Sequence, residues 1–164
     1  MPSRPSGNSV FSAAFVRTGG GWNGAEVDLS EAEIADDLGD AVQEHLGLTG
    51  DELALLCVEM EDEWFAIVRY QGDLEPRTFL SDAQAGLSDQ LGELFGELAG
   101  VAPDKETPAG LGVRPAGDFE LLNDLGVSSD ELVELSMEEG ALPGDTLSVI
   151  AERLAFADEL DRLR

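Results

Sequence analysis

Carboxylates dominate the side chains of this sequence that could do chemistry. Glu59, Glu61, Asp62 and Glu63 crowd one short stretch, and Asp130, Glu131, Glu134, Glu138 and Glu139 crowd another. Paired carboxylates can hold a hard cation or act as acid and base. Around Glu59 to Glu63, however, no calcium-loop spacing occurs and no nucleophile–base pair accompanies the acids, so a solvated acidic turn is the simpler reading. The sequence contains one cysteine, Cys57, and one histidine, His45. That excludes in practice a zinc site built on Cys and His ligands, and it leaves a Ser-His-Asp arrangement only a histidine without catalytic context. Cys57 sits in the most apolar run of the chain, where a thiol is buried and inert. Gly19-Gly20-Gly21 lacks the Lys and the helix start of a phosphate-binding loop. We expect no catalytic residue, no metal site and no cofactor.

The charge balance points to binding instead. The 164 residues include 35 Asp and Glu against 9 Lys and Arg, a formal net charge of −26. Such a field repels DNA, RNA and anionic lipid and favours a protein partner with a basic surface, or serves solubility alone. The partner-binding candidates are the acidic turn Glu61, Asp62 and Glu63 with Trp64, and the acidic helix bearing Asp130, Glu131, Glu134 and Glu138. For Trp64, as for Trp22, core packing is the favoured role, although an aromatic at a strand end can also belong to a binding patch. Leu125-Gly126-Val127-Ser128 between two helical stretches has helix-turn-helix spacing, but the would-be recognition helix is acidic and carries no basic residue. No signal peptide opens the sequence and no apolar run approaches membrane-spanning length, so a cytoplasmic protein is expected.

The elements that must position these residues are organised around 53–82. Leu53 to Val58 is apolar without a break, which suits a strand covered on both faces. Trp64 to Tyr70 follows, with Trp64, Ala66, Val68 and Tyr70 on one face and Phe65, Ile67 and Arg69 on the other. Arg77 to Leu80 completes a meander. Upstream, Ser9 to Arg17 and Trp22 to Leu29 form a hairpin around the three glycines. Ser30-Glu31-Ala32-Glu33 has the form of a capping box, with Leu29 and Ile34 as its staple and Ile34, Leu38, Val42 and Leu46 as the inward stripe. Gly47 or Gly50 ends that helix. Ser81-Asp82-Ala83-Gln84 repeats the start signal ahead of Leu87, Leu91, Leu94, Phe95 and Leu98. Residues 100–117 are rich in Pro and Gly and read as a linker, and 118–164 read as helical throughout. There Phe119, Leu122 and Leu125 form one stripe, Ser128-Ser129-Asp130-Glu131 is a third capping box stapled by Val127 and Leu132, and Pro143 opens a further helix with a bend near Ala155. The expected fold is α+β: an antiparallel sheet of about five strands in ββα-βββα order with packed helices, plus a small all-helical C-terminal unit. The expected division is a loose tail at 1–8, an α+β domain at 9–99, a linker at 100–117 and a helical unit at 118–164. About 47 residues is a thin core for such a unit, which should need a neighbour or a partner.

Three stretches taken together carry a family resemblance: Glu61-Asp62-Glu63-Trp64-Phe65-Ala66-Ile67-Val68-Arg69 with Arg77-Thr78-Phe79-Leu80-Ser81-Asp82-Ala83; Asp118-Phe119-Glu120-Leu121-Leu122-Asn123-Asp124-Leu125-Gly126-Val127; and Ala151-Glu152-Arg153-Leu154-Ala155-Phe156-Ala157-Asp158-Glu159-Leu160. This set resembles the actinobacterial tRNA adenosine deaminase-associated proteins. The resemblance implies association with the wobble-position tRNA adenosine deaminase and carries over no catalytic residue. The deaminase's own His-x-Glu and Cys-x-x-Cys zinc pattern is absent. Three readings follow in order: a non-catalytic acidic accessory protein that docks on the deaminase and competes with RNA; a homo-oligomeric structural protein without deaminase contact; and an enzyme with an unrecognised carboxylate site.

Overall fold

The uninterrupted apolar run Leu53–Met60 forms β3, with every residue buried except half-buried Glu59. A strand of this kind needs a layer on each face, and it has both. The computed structural model describes residues 10–19, 21–47, 52–60, 63–72, 75–83, 90–100, 115–138 and 142–163. Among them the strands are β1 (Val10–Thr18), β2 (Gly21–Glu26), β3, β4 (Trp64–Gln71), β5 (Arg77–Leu80) and β6 (Ala116–Gly117). They form one sheet in the order β2-β1-β3-β4-β5-β6, and every neighbouring pair is antiparallel. The fold is α+β as expected, with a sixth strand added at the β5 edge.

Period-two alternation sorts the strand residues onto two faces. Ala14, Ala54, Leu56, Val58, Trp64, Ala66, Val68 and Leu80 pack with Leu38 and Val42 of α1 (Ala35–Leu46) and with Leu94 and Phe95 of α2 (Gln90–Ala99). Ala13, Phe15, Leu55, Cys57, Phe65, Ile67 and Phe79 pack with Leu121, Leu122 and Val127 and with α3 (Ser129–Ser136), α4 (Pro143–Leu154) and α5 (Ala157–Leu163). The result is a helix–sheet–helix sandwich. The C-terminal helices do not enclose a core of their own, because their buried residues belong to the same cluster as one sheet face. That changes the meaning of the 100–117 stretch. Residues 101–114 lie outside the described residues, but Ala116–Gly117 is a strand paired with Leu80 and Phe79. A two-residue strand carries no sequence signal. It is held by Gly117 at φ 101°, where an added Cβ would strike the Thr78 carbonyl.

Two local expectations change. The first helix does not start at Ser30. Ile34 is its N-cap, 57% exposed rather than stapled inward, and the Asp37 carboxylate accepts from the Glu33 and Ile34 amides. Ser30 instead donates its amide to Asp28. Gly47 ends this helix in the left-handed region. The Ser81 hydroxyl accepts the Phe65 amide at 2.8 Å, tying β4 to the end of β5. The start of the helix that follows falls largely on residues 84–89, outside the described residues. Finally, 118–126 is not an α-helix but a run of turns with one 3-10 turn, Asn123–Leu125, and it buries Leu121 and Leu122 rather than Phe119. The third capping box forms as expected: the Ser128 hydroxyl accepts the Glu131 amide, with Val127 and Leu132 both buried. Pro143 is at the start of α4, and the bend at Ala155 adopts φ 73°.

Candidate partner-binding site

Two buried tethers hold the C-terminal layer on the sheet and so place its acidic helix. The first centres on Arg69, only 6% exposed on the α3–α5 side of β4. Its guanidinium donates to Asp124 Oδ1 and Oδ2 at 2.6 and 2.8 Å, to the Leu121 carbonyl at 2.7 Å and to Gln71 Oε1 at 3.0 Å. A planar fork with a bidentate carboxylate is the geometry arginine serves best. Arg77, directly opposite Arg69 on β5, donates to Asp118 Oδ2 at 2.5 Å. These side-chain bonds hold the Asp118 and Asp124 carboxyls below the usual carboxylate range. The second tether is aromatic. Phe15 stacks on Phe156 at 4.4 Å, Trp22 leans on Phe156 at 5.2 Å, and the Trp22 indole donates to the Leu154 carbonyl at 2.9 Å.

On this base α3 turns one stripe inward, through buried Leu132 and half-buried Leu135, and presents its acidic side. Asp130 and Glu134 fall one helical turn apart, with Val133 and Met137 one turn apart beside them. Together with Glu131, Leu135, Glu138 and Arg153 they line an open groove of about 980 Å³. Met137 is 55% exposed, and Leu142, ahead of α4, is 46% exposed. Arg153 reaches from α4 to pair with Glu131. All four acids expected to bind a partner in this half of the chain are thus gathered on one groove; Glu139 lies outside the described residues. The sequence reading missed the apolar lining and the cation. Nothing in the spacing of Val133 and Leu135 marks them as groove-lining, and Arg153 is far away in sequence on a different helix.

The other acidic candidate is only partly described. Glu61 and Asp62 lie outside the described residues, and Glu63 is exposed in the turn, donating its amide to Met60. Trp64 is buried, with its ring edge-on to Phe95 at 5.8 Å. It therefore packs in the α1–α2 core and offers no surface to a partner. Its indole N–H has no hydrogen-bond partner among the described residues. Cys57 is buried in the central strand, and His45 Nδ1 donates to the Ala41 carbonyl one turn back. A smaller hollow of about 160 Å³ lies between α1 and the end of β4, beside Gly39, Val42 and Tyr70. There burial, then Asp36 and Asp40, push the Tyr70 phenol up. Among the described residues no group of three or more His, Cys, Asp or Glu is placed to hold a metal ion, and no helix is long and apolar enough to cross a membrane.

No curated protein and no solved structure matches the chain. A family model does match, over residues 10–157, which takes in the sheet, α1 to α4 and the acidic groove. By that match the chain belongs to the Rv3753c-like tRNA adenosine deaminase-associated protein family.

Proposed function

We propose that the chain is a non-catalytic accessory protein of the cytoplasm that docks on a tRNA adenosine deaminase through its acidic surface. The family's description supports the association. The observation that carries the docking mode is the groove on α3, where four carboxylates rim an apolar strip of half-buried Val133 and Leu135 and exposed Met137. An enzyme that binds tRNA needs a basic surface, and a chain of net charge −26 is complementary to it. Complementarity of this kind raises the association rate and excludes like-charged competitors. The accessory protein and tRNA then compete for one basic face. Glu63, exposed in the turn ahead of β4, offers a second acidic contact. A non-catalytic role is supported by the seclusion of the sole thiol inside β3.

The test is a titration of the purified deaminase with the purified chain, at low and high salt and with tRNA as competitor. The screening length falls from about 10 Å at 0.1 M to about 3 Å at 1 M ionic strength, so docking between exposed charges should weaken steeply. We expect binding at low salt, loss at high salt and displacement by tRNA. Binding that persists at high salt, or that leaves tRNA access unchanged, refutes the competitive mode. Absence of binding at every salt concentration refutes the accessory role.

A further inference from the structure

We propose that the α3 groove is a socket for a short amphipathic partner segment bearing Arg or Lys, and that Arg153 is its resident placeholder; this deepens the accessory-protein reading and rests on it. The groove itself holds the first argument. It combines an apolar strip, Val133, Leu135 and half-exposed Met137, with carboxylates from Asp130 to Glu138. Helix-in-groove recognition uses apolar anchors at helical spacing, and its flanking charges set the choice of partner. A volume of about 980 Å³ exceeds the needs of one side chain and suits a turn or two of a segment.

The second argument is Arg153. The fold already seats a guanidinium on this acidic face, from α4 onto Glu131. Glu131 is 24% exposed and Arg153 52% exposed, so the pair is held on the wet side of the groove. Exposed ion pairs of this type are weak, and Arg153 can swing into water when another cation arrives. An incoming Arg or Lys thus exchanges for a resident one. The third argument is charge. With 35 acidic residues against 9 basic, a second copy of this chain meets the groove with the wrong sign, as do nucleic acid and anionic lipid. A basic segment is the occupant that charge complementarity selects.

The test uses the full chain and two labelled helical peptides of about 14 residues, a length of roughly 21 Å. One contains Arg, Ala and Leu, with Leu repeating at helical spacing; in the other, Ser replaces Leu. Fluorescence anisotropy measures binding to the wild type, to Glu134→Lys/Glu138→Lys in the groove, and to Glu93→Lys/Glu97→Lys on exposed positions of α2. The two double variants change net charge equally. Far-UV circular dichroism checks that each is folded. We expect the Leu peptide to bind the wild type and to lose about tenfold or more on the groove variant, but less than about threefold on the α2 variant. Arg153→Ala should tighten binding, because it frees Glu131. Equal losses on the two double variants, equal binding of the Ser peptide, or weaker binding to Arg153→Ala overturns the socket, as does no binding of the Leu peptide at all. The same proteins are then titrated with the deaminase. Deaminase binding that ignores the groove variant overturns the socket and leaves the accessory role standing. Groove-dependent peptide binding without any deaminase binding overturns the accessory role and leaves the socket standing.

Discussion

Removing Asp124 should destabilise the protein more than removing Arg69, although Arg69 is the buried partner. The reasoning starts from where each charge is left. The Arg69 side chain is 6% exposed and that of Asp124 is 61% exposed. Asp124→Ala strands a guanidinium inside the β4 face, with the Leu121 carbonyl and Gln71 as its remaining acceptors among the described residues. Leaving one partner of a buried pair uncompensated costs about 3–5 kcal/mol, and the two remaining acceptors put this case near 3 kcal/mol. Arg69→Met leaves a carboxylate that water can solvate. Its main loss is the hydrogen bond to the Leu121 carbonyl, worth about 1–2 kcal/mol, while the Met side chain fills much of the space. In the double variant no charge is stranded, so it should cost about as much as Arg69→Met alone. The coupling energy of the cycle is then about 3 kcal/mol. Urea unfolding followed by fluorescence reports it, since buried Trp64 becomes exposed on unfolding. Two outcomes refute the reasoning: Arg69→Met costing more than Asp124→Ala, or the double variant costing the sum of the singles.

Three further predictions rest on the same structure. Gly24→Ala should lower stability by about 1–2 kcal/mol in a thermal melt: its Cβ would lie 2.7 Å from the Phe15 ring, which Phe156 stacks on from another side, so overpacking at about 1–3 kcal/mol outweighs the backbone-entropy gain. Ser128→Ala should cost about 1 kcal/mol in urea unfolding through the lost cap on the Glu131 amide; a neutral result would mean that packing of Val127 and Leu132 alone sets the start of α3. Asp118 and Asp124 have depressed carboxyl pKa values in the folded state, so their contribution is complete above the unfolded value of about 3.9 and is lost as pH falls through the lowered values. Thermal melts should therefore fall steeply only below about pH 4, and Asp118→Asn/Asp124→Asn should flatten that limb without abolishing it, because Asp28 and Asp37 are lowered as well.

The central strand was legible because an unbroken apolar run followed at once by a turn has few other homes. The two faces of β4 were legible because alternation is a local rule, and it put Arg69 on the correct side. What alternation cannot supply is the partner, since Asp124 lies in a turn distant along the chain. Arg153 was missed at the groove for the same reason. The two capping boxes make the point most sharply. Ser30 and Ser128 both have Glu three residues later, and only Ser128 caps. At Ser30 a competitor, Asp37, takes the Glu33 and Ile34 amides, while buried Leu29 holds the preceding chain. Local pattern names candidates for a cap, and the winner depends on where tertiary packing anchors the chain. The acidic residues on α3 were found from composition, but the apolar strip beside them was not. Leu135 packs against the core beside Leu132 and also borders the groove, a double role that periodicity alone does not show.

The bond from Trp22 to the Leu154 carbonyl joins residues 132 positions apart. It has a consequence for biosynthesis. While a ribosome makes the chain, α1 and α2 can settle on their face of the sheet as soon as α2 has followed β5 out. The opposite face, with Phe15, Leu55, Ile67 and Phe79, has no cover until the chain from Leu121 onward begins to emerge, and its cover is complete only with α4 and α5. Closing so long a span is slow, and an unfinished sheet with one bare apolar face invites association. The abundant carboxylates carried by the same nascent chain keep such half-built copies apart. The same acidity that suits a basic partner also acts as the chain's own safeguard during its assembly.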